Sequence, residues 1–181
     1  EEEAGRQIRY EALRETAEVR RKERGAGAPP CVIATAHHRD DSAETILLNL
    51  FRGSGLKGLG GIRPAAGDVI RPLIETDPRE IRSWMEEHGY SWCEDSTNRD
   101  PVYARNRIRC QILPQAREIN GEAAANIVRA GGFLAQADEY LEKQAAELIG
   151  GRCFREGSAF GIPAWTLTEA PEILKIYAVR Q

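Results

Sequence analysis

The chain has no long apolar run. Its apolar stretches are only a few residues long, as at Ile46-Leu47-Leu48, whereas a bilayer-spanning helix takes about 20. That excludes a membrane reading, and the opening Glu1-Glu2-Glu3 is no secretory leader. A cytoplasmic protein is expected. Cysteine is sparse: Cys31, Cys93, Cys110 and Cys153, none in a Cys-x-x-Cys pair. Zinc-ribbon, thioredoxin-type and clustered iron–sulfur spacings are thereby excluded, and reduced, mostly buried thiols are expected. An excess of basic residues is missing too. Lys and Arg number 25 against 28 Asp and Glu, a formal net charge of −3. A nucleic-acid role must therefore rest on a local patch. The only methionine is Met85, and both ends read as cuts through a longer protein.

What remains is ordinary globular composition. The 181 residues are 41% hydrophobic and 29% charged, enough for one domain with part of a second. Residues 5–24 have helical spacing, with Ile8, Ala12, Leu13 and Ala17 on one face, and Gly25 through Pro30 end the run. Cys31 to Ala36 reads as a strand buried on both faces. Asp41 to Phe51 reads as a helix with Ala43, Ile46, Leu47, Leu50 and Phe51 inward. Val69-Ile70 is a second strand. Asp77-Pro78-x-Glu80 starts another helix, with Ile81, Trp84 and Met85 inward and Gly89 at its end. Tyr90 to Cys93 is a third strand. Helix and strand alternate as in βαβ units, which predicts an α/β fold with a doubly wound parallel sheet. After Asn98 the pattern becomes helical: 102–118, broken at Pro114, then 121–149. In the second stretch Ile127, Gly131, Leu134, Asp138, Leu141, Ala145 and Leu148 make a stripe that Asp138 spoils. A short hairpin or extended piece over 152–162 and a last helix follow, with a boundary near residue 119.

Three constellations could carry chemistry. The first is Ala36-His37-His38-Arg39-Asp40-Asp41-Ser42-Ala43-Glu44-Thr45, where a strand ends and a helix begins. Ligands of open α/β sheets bind there. Asp41 and Glu44 share the first turn and suit an ammonium group, a magnesium ion or proton transfer. Asp41-x-x-Glu44 also reads as a capping box. The second is the glycine-rich run Arg52 to Gly61. Its five glycines, with Arg52 and Lys57, suit phosphate; a plain connecting loop fits as well. The third runs from Asp95-Ser96-Thr97-Asn98 to Arg117. Between 99 and 117 it carries five arginines against the single acid Asp100. Arg105 and Arg109 share a helix face that suits phosphate, or a solvated face paired with Asp95 and Asp100.

Taken in order, Ala34-Thr-Ala-His-His-Arg-Asp-Asp-Ser-Ala-Glu-Thr45, Arg52-Gly-Ser-Gly55, Arg71-Pro-Leu73, Glu94-Asp-Ser-Thr-Asn98 and Arg105-Asn-Arg-Ile-Arg109 resemble the tRNA(Ile)-lysidine synthase family. That family belongs to the N-type ATP pyrophosphatase (PP-loop) superfamily. The likeness covers residues 3–118, with Arg6-x-x-Arg9-Tyr10 at its start.

It implies a Rossmann-like fold of the adenine nucleotide α-hydrolase type and three parts. These are a partial ATP pyrophosphatase domain (1–118), a linker helix (119–150) and the start of a tRNA-binding domain (151–181). It also implies ATP and Mg²⁺, with L-lysine and a minor isoleucine tRNA as partners, and leaves a homodimer open. Asp41 and Glu44 match the acidic pair expected to bind lysine and handle its proton. His37 and Asp40 are expected near the α-phosphate and Mg²⁺. Arg52, Arg71, Arg105 and Arg109 are expected to meet ATP phosphates or the tRNA backbone. The superfamily's Ser-Gly-Gly-x-Asp-Ser loop is absent from these residues, so this stretch alone is expected to be inactive. A tRNA thiolase of the same superfamily is the rival enzyme, though it would need paired cysteines. A non-catalytic tRNA-binding piece is the rival module.

Overall fold

The computed structural model describes residues 2–25, 27, 29–93, 102–157 and 159–180. The stretch carrying Asp95, Ser96, Thr97, Asn98, Arg99 and Asp100 lies outside them. None of the described helices is long and apolar enough to cross a membrane.

The sheet is small and mixed. Strand β1 (Ile33–Ala34) pairs in parallel with β3 (Val69–Ile70), and β2 (Ala65–Ala66) pairs antiparallel with β3, giving the order β1-β3-β2. The parallel pair and its helical crossover match the expectation; the full doubly wound sheet is not seen among the described residues. Tyr90 to Cys93 is not a strand. Gly89 closes the preceding helix with φ +72, and the Tyr90 N–H turns back to the Met85 carbonyl (2.9 Å); among the described residues this segment pairs with no strand. Nor is β1 covered on both faces: Ile33 is buried while Ala34 is exposed. Of the cysteines, Cys31 is half-buried and Cys93, Cys110 and Cys153 are exposed, against the expectation of burial.

Helix α1 (Glu2–Arg24) leaves Ile8 and Leu13 exposed, with Tyr10 and Ala17 half-buried. It is tied to the sheet by Arg14, whose Nε donates to Asp68 at 2.9 Å. Helix α2 (Arg39–Phe51) starts two residues before the expected point. His38 is extended and caps it, its N–H bonding to the Asp41 carboxylate (2.9 Å). The capping box is therefore His38 with Asp41, not Asp41 with Glu44. Ala43 and Ile46 are buried, but Leu50 and Phe51 face out.

The glycine-rich run is neither a loose connector nor an open cradle. It contains a short helix, α3 (Leu56–Leu59), packed between α2 and the long helix α7 (Ala123–Ile149). Gly61 has φ +73, and a Cβ there would lie 2.7 Å from Ser42 Oγ. A Cβ on Gly131 of α7 would lie 2.6 Å from Ile46 Cδ1 and 2.9 Å from the Leu59 carbonyl oxygen. The glycines let three helices approach closely. Gly131→Ala is accordingly expected to destabilise by about 1–2 kcal/mol, overpacking outweighing the helix propensity gained. Gly132→Ala, with nothing within 4 Å of its Cβ, is expected to stabilise by up to ~1 kcal/mol. Urea midpoints check this: the two must move in opposite directions.

Helix α4 (Pro78–Glu87) begins as read. Asp77 is the N-cap, its carboxylate accepting from the Arg79 N–H (2.8 Å), with Pro78 first. Trp84 is exposed rather than inward and stacks on His88 and Tyr90. The next helical stretch is α5 (Ala104–Arg107), a π-helical turn (Ile108–Ile112) and α6 (Leu113–Ile119). The break expected at Pro114 is thus a widened turn just before it, consistent with a proline that has no N–H to offer the preceding turn.

In α7 the whole expected stripe from Ile127 to Leu148 is buried or half-buried, Asp138 included. Asp138 does not spoil it, because the Tyr177 hydroxyl donates to its carboxylate. Tyr177 lies on α9 (Glu172–Val179), which follows the hairpin β4–β5 (Phe154–Glu156 with Ala159–Gly161) and α8 (Ala164–Thr168). One apolar cluster holds Ala43, Ile108, Leu113 and Ala124, and a second holds Ala145, Ile149, Tyr177 and Ala178.

Burial, and then the bond to Asp138, push the Tyr177 phenol up to about 12. A raised folded pKa means stability present below the ordinary value near 10 and lost as pH climbs toward 12. Tyr177→Phe leaves the Asp138 carboxylate buried without its donor. It is expected to cost about 1–3 kcal/mol at neutral pH and to remove this alkaline dependence. Chemical denaturation at pH 7 and pH 11 measures both.

Candidate functional site

Past β1 the chain runs through Thr35, Ala36, His37 and His38 into α2, so the first turn of α2 stands at the carboxyl end of a parallel strand. Asp40 and Asp41 sit on that turn and Glu44 on the next, and each is held by arginines from the segment 104–119. Glu44 is fully buried. Arg109 grips it as a fork, Nε to Oε1 at 2.6 Å and Nη2 to Oε2 at 2.9 Å, and Arg105 Nε adds a bond to Oε2 at 2.9 Å. Asp41 Oδ1 accepts from Nη2 of both arginines, at 3.1 and 3.2 Å, while its Oδ2 accepts from the His38 N–H. Asp40 accepts on both oxygens from Arg117 Nη2, at 2.7 and 2.6 Å.

The pairing follows from elementary electrostatics. Three carboxylates within the first two turns of one helix repel one another, and buried charge must be neutralised. Three guanidiniums, each with several donors, achieve this with directed, charge-assisted bonds. The contact with Glu44, more than any other, raises the Arg109 pKa. Around the cluster, Asp77 takes bonds from Arg39 and Arg79. Those from Arg79, ahead of the charge of Arg39, hold its carboxyl far below the usual range.

Beside the cluster lies a cavity of about 280 Å³, lined by Arg9, Tyr10, Thr35, Ala36, His37 and Asp41 among others. His37 Nδ1 is hydrogen-bonded to the Thr35 hydroxyl (2.8 Å).

Of the residues singled out by sequence, Asp40, Asp41, Glu44, Arg105 and Arg109 come together, with His37 alongside. Arg52 does not join them: it is exposed and caps the far end of α2, its N–H donating to Leu48. Arg71 follows β3 and donates to the Arg63 carbonyl (2.8 Å), lining a separate cavity of about 290 Å³. Arg117 was visible only as one member of the basic patch, and Arg39 and Asp77 drew no functional reading. Asp77 carried a helix-start signal and nothing more.

The donor set does not fit a magnesium ion. Every oxygen of Asp40, Asp41 and Glu44 already accepts from an arginine or a backbone N–H. Among the described residues no group of three or more His, Cys, Asp or Glu is placed to hold a metal.

Comparison with known proteins agrees with the motifs. A protein of Caldanaerobacter subterraneus subsp. tengcongensis named tRNA(Ile)-lysidine synthase is 36% identical over 182 residues, covering 100% of this chain and 37% of its own length. One of the same name from Parabacteroides distasonis is 41% identical over 149 residues, covering 81% of this chain and 32% of its own length. A third, from Pseudomonas aeruginosa, is 34% identical over 168 residues, covering 91% and 35%. The chain thus spans about a third of the length of these relatives. The profile of the PP-loop domain matches residues 1–116, and with most of its length inside that match the chain belongs to the PP-loop domain family.

Proposed function

We propose that this chain is part of an ATP-dependent ligase that joins lysine to C2 of the wobble cytidine of a minor isoleucine tRNA. One observation carries the reading: the acids of Asp40-Asp41-Ser42-Ala43-Glu44 and the arginines of Arg105-Asn-Arg-Ile-Arg109, distant in sequence, meet at the end of β1. They do so in a chain that resembles proteins of that name along its whole length. The parallel β1–β3 pair supports a larger doubly wound sheet around this site.

The chemistry takes two steps. The cytidine C2 oxygen bonds to the α-phosphorus of ATP, and the bond to the β-phosphate oxygen breaks, releasing pyrophosphate. The lysine amino group, having lost a proton, then bonds to C2. The C2–O bond breaks and AMP leaves.

Asp41 lines the cavity and is the group we assign to the lysine ammonium, its Oδ1 exchanging the long contacts to Arg105 and Arg109 (3.2 and 3.1 Å) for the ammonium, with His37 beside it for proton handling. Glu44 lies beneath, neutralising Arg105 and Arg109. About a third of each of these side chains reaches solvent, which lets them meet phosphate from the outer side while anchored below. Asp40 and its partner flank the nucleotide side. Arg52 and Arg71, off the cluster, are assigned to the tRNA backbone.

The test is the full gene product incubated with ATP, L-lysine and the minor isoleucine tRNA. Lysidine and AMP should form in equal amounts. Sulfur transfer without lysine dependence would point instead to a thiolase, and tRNA binding without turnover to a binding module.

A further inference from the structure

Arg117 sits twelve residues after Arg105. In a regular α-helix twelve residues turn about 1200°, which leaves Arg117 about 120° away from Arg105 around the axis, whereas Arg109 is only about 40° away. A straight helix would therefore aim Arg117 off the face shared by the other two. The π-helical turn at Ile108–Ile112 changes this. A π turn takes one extra residue into the same rotation, setting everything after it back by about 100°. Arg117 then lies about 20° from Arg105, in line with it. The result is seen in the contacts: Arg105 and Arg109 meet Glu44 and Asp41, and Arg117 meets Asp40 beside Asp41 at the start of α2.

The wide turn is anchored. Ile108 and Leu113, at its two ends, are 2% and 1% exposed and belong to the apolar cluster that includes Ala43 of α2. Asp40 is 8% exposed, and both of its oxygens accept from a single nitrogen, Arg117 Nη2.

We propose that Arg117 is a positioning residue of this site, aimed by the π turn at Ile108–Ile112, and that it fixes Asp40 and the first turn of α2 in the geometry the reaction needs. The proposal rests on the functional reading above. Arg117 touches no substrate in it; it acts through Asp40.

Three variants of the full gene product test it, with kcat and KM for lysine measured per folded molecule beside the melting temperature. Arg117→Gln is expected to lower kcat about tenfold to a hundredfold, the scale of a small misplacement of reacting groups, with the lysine KM changed less than about twofold. Arg117→Lys is expected to restore most of the rate, because one nitrogen makes both contacts and an ammonium can replace it. Arg79→Gln loosens a neighbouring ion pair on Asp77 and is expected to lower the melting temperature with kcat intact. An unchanged kcat in Arg117→Gln, or an equal fall in Arg79→Gln, overturns the positioning role. A wild-type protein that forms no lysidine overturns the functional reading as well.

Discussion

Glu44→Gln is expected to lower the melting temperature of this chain by roughly 6–20 °C. Glu44 is completely buried and neutralises two guanidiniums at once. Removing one side of a buried ion pair costs about 3–5 kcal/mol, and each kcal/mol moves a chain of this size by about 2–4 °C. The glutamine keeps one acceptor oxygen but turns an amide toward guanidinium donors. Arg105 and Arg109 are each about a third exposed, so they can swing partly to water, which favours the lower end of the range. Adding Arg105→Gln to Glu44→Gln should cost less than the two single losses summed, since the partners share one network. A Glu44→Gln chain that melts normally, while the full gene product needs far more lysine, would show that Glu44 meets the amine directly.

Asp41→Asn in the full gene product is expected to raise the lysine KM about tenfold to a hundredfold, with ATP-dependent pyrophosphate release largely kept. A hydrogen bond to a charged group is worth about 1.5–3 kcal/mol, and Asp41 is the acid of the cluster that lines the cavity. It also caps α2 through the His38 N–H and accepts from Nη2 of Arg105 and Arg109. The asparagine oxygen can keep the cap but not the charge, so the melting temperature should fall as well, and the KM is measured per folded molecule. A fall in pyrophosphate release with the lysine KM unchanged would move Asp41 from the amine to the nucleotide.

The site was more legible in the sequence than the sheet that carries it. Asp41 and Glu44 share a turn because residues three apart must, and Arg105 and Arg109 share a face for the same reason. That the two pairs face each other was not readable, since 61 and 65 residues separate the bonded partners. Arg117 was hidden by arithmetic: periodicity assumes 3.6 residues per turn, and one widened turn defeats it. Asp138 looked like a flaw because its partner, Tyr177, lies 39 residues away. The glycines of 53–61 signalled close approach, but not whether to phosphate or to another helix; Ile46 and Ser42 supply the second answer. Strand signals were weakest. Tyr90-Ser-Trp-Cys93 has strand composition, yet a strand is defined by its neighbour, and composition does not supply one.

Helix α7 has consequences for the order in which backbone amides exchange with deuterated solvent. Its first turns, at Ala124, Ile127 and Val128, belong to one apolar cluster, and Leu141, Ala145 and Ile149 near its end belong to the other. A rod of 27 residues rooted at both ends cannot fray from either without uncovering a core. The amides around Gly131 to Asp138 should therefore exchange only through the largest opening the molecule undergoes. Helix α1, mostly exposed and tied by Arg14 to Asp68, should label first. The last amides to label should report the same opening free energy at either end of α7, and a base-induced loosening at Tyr177 should be felt as far as Ala124.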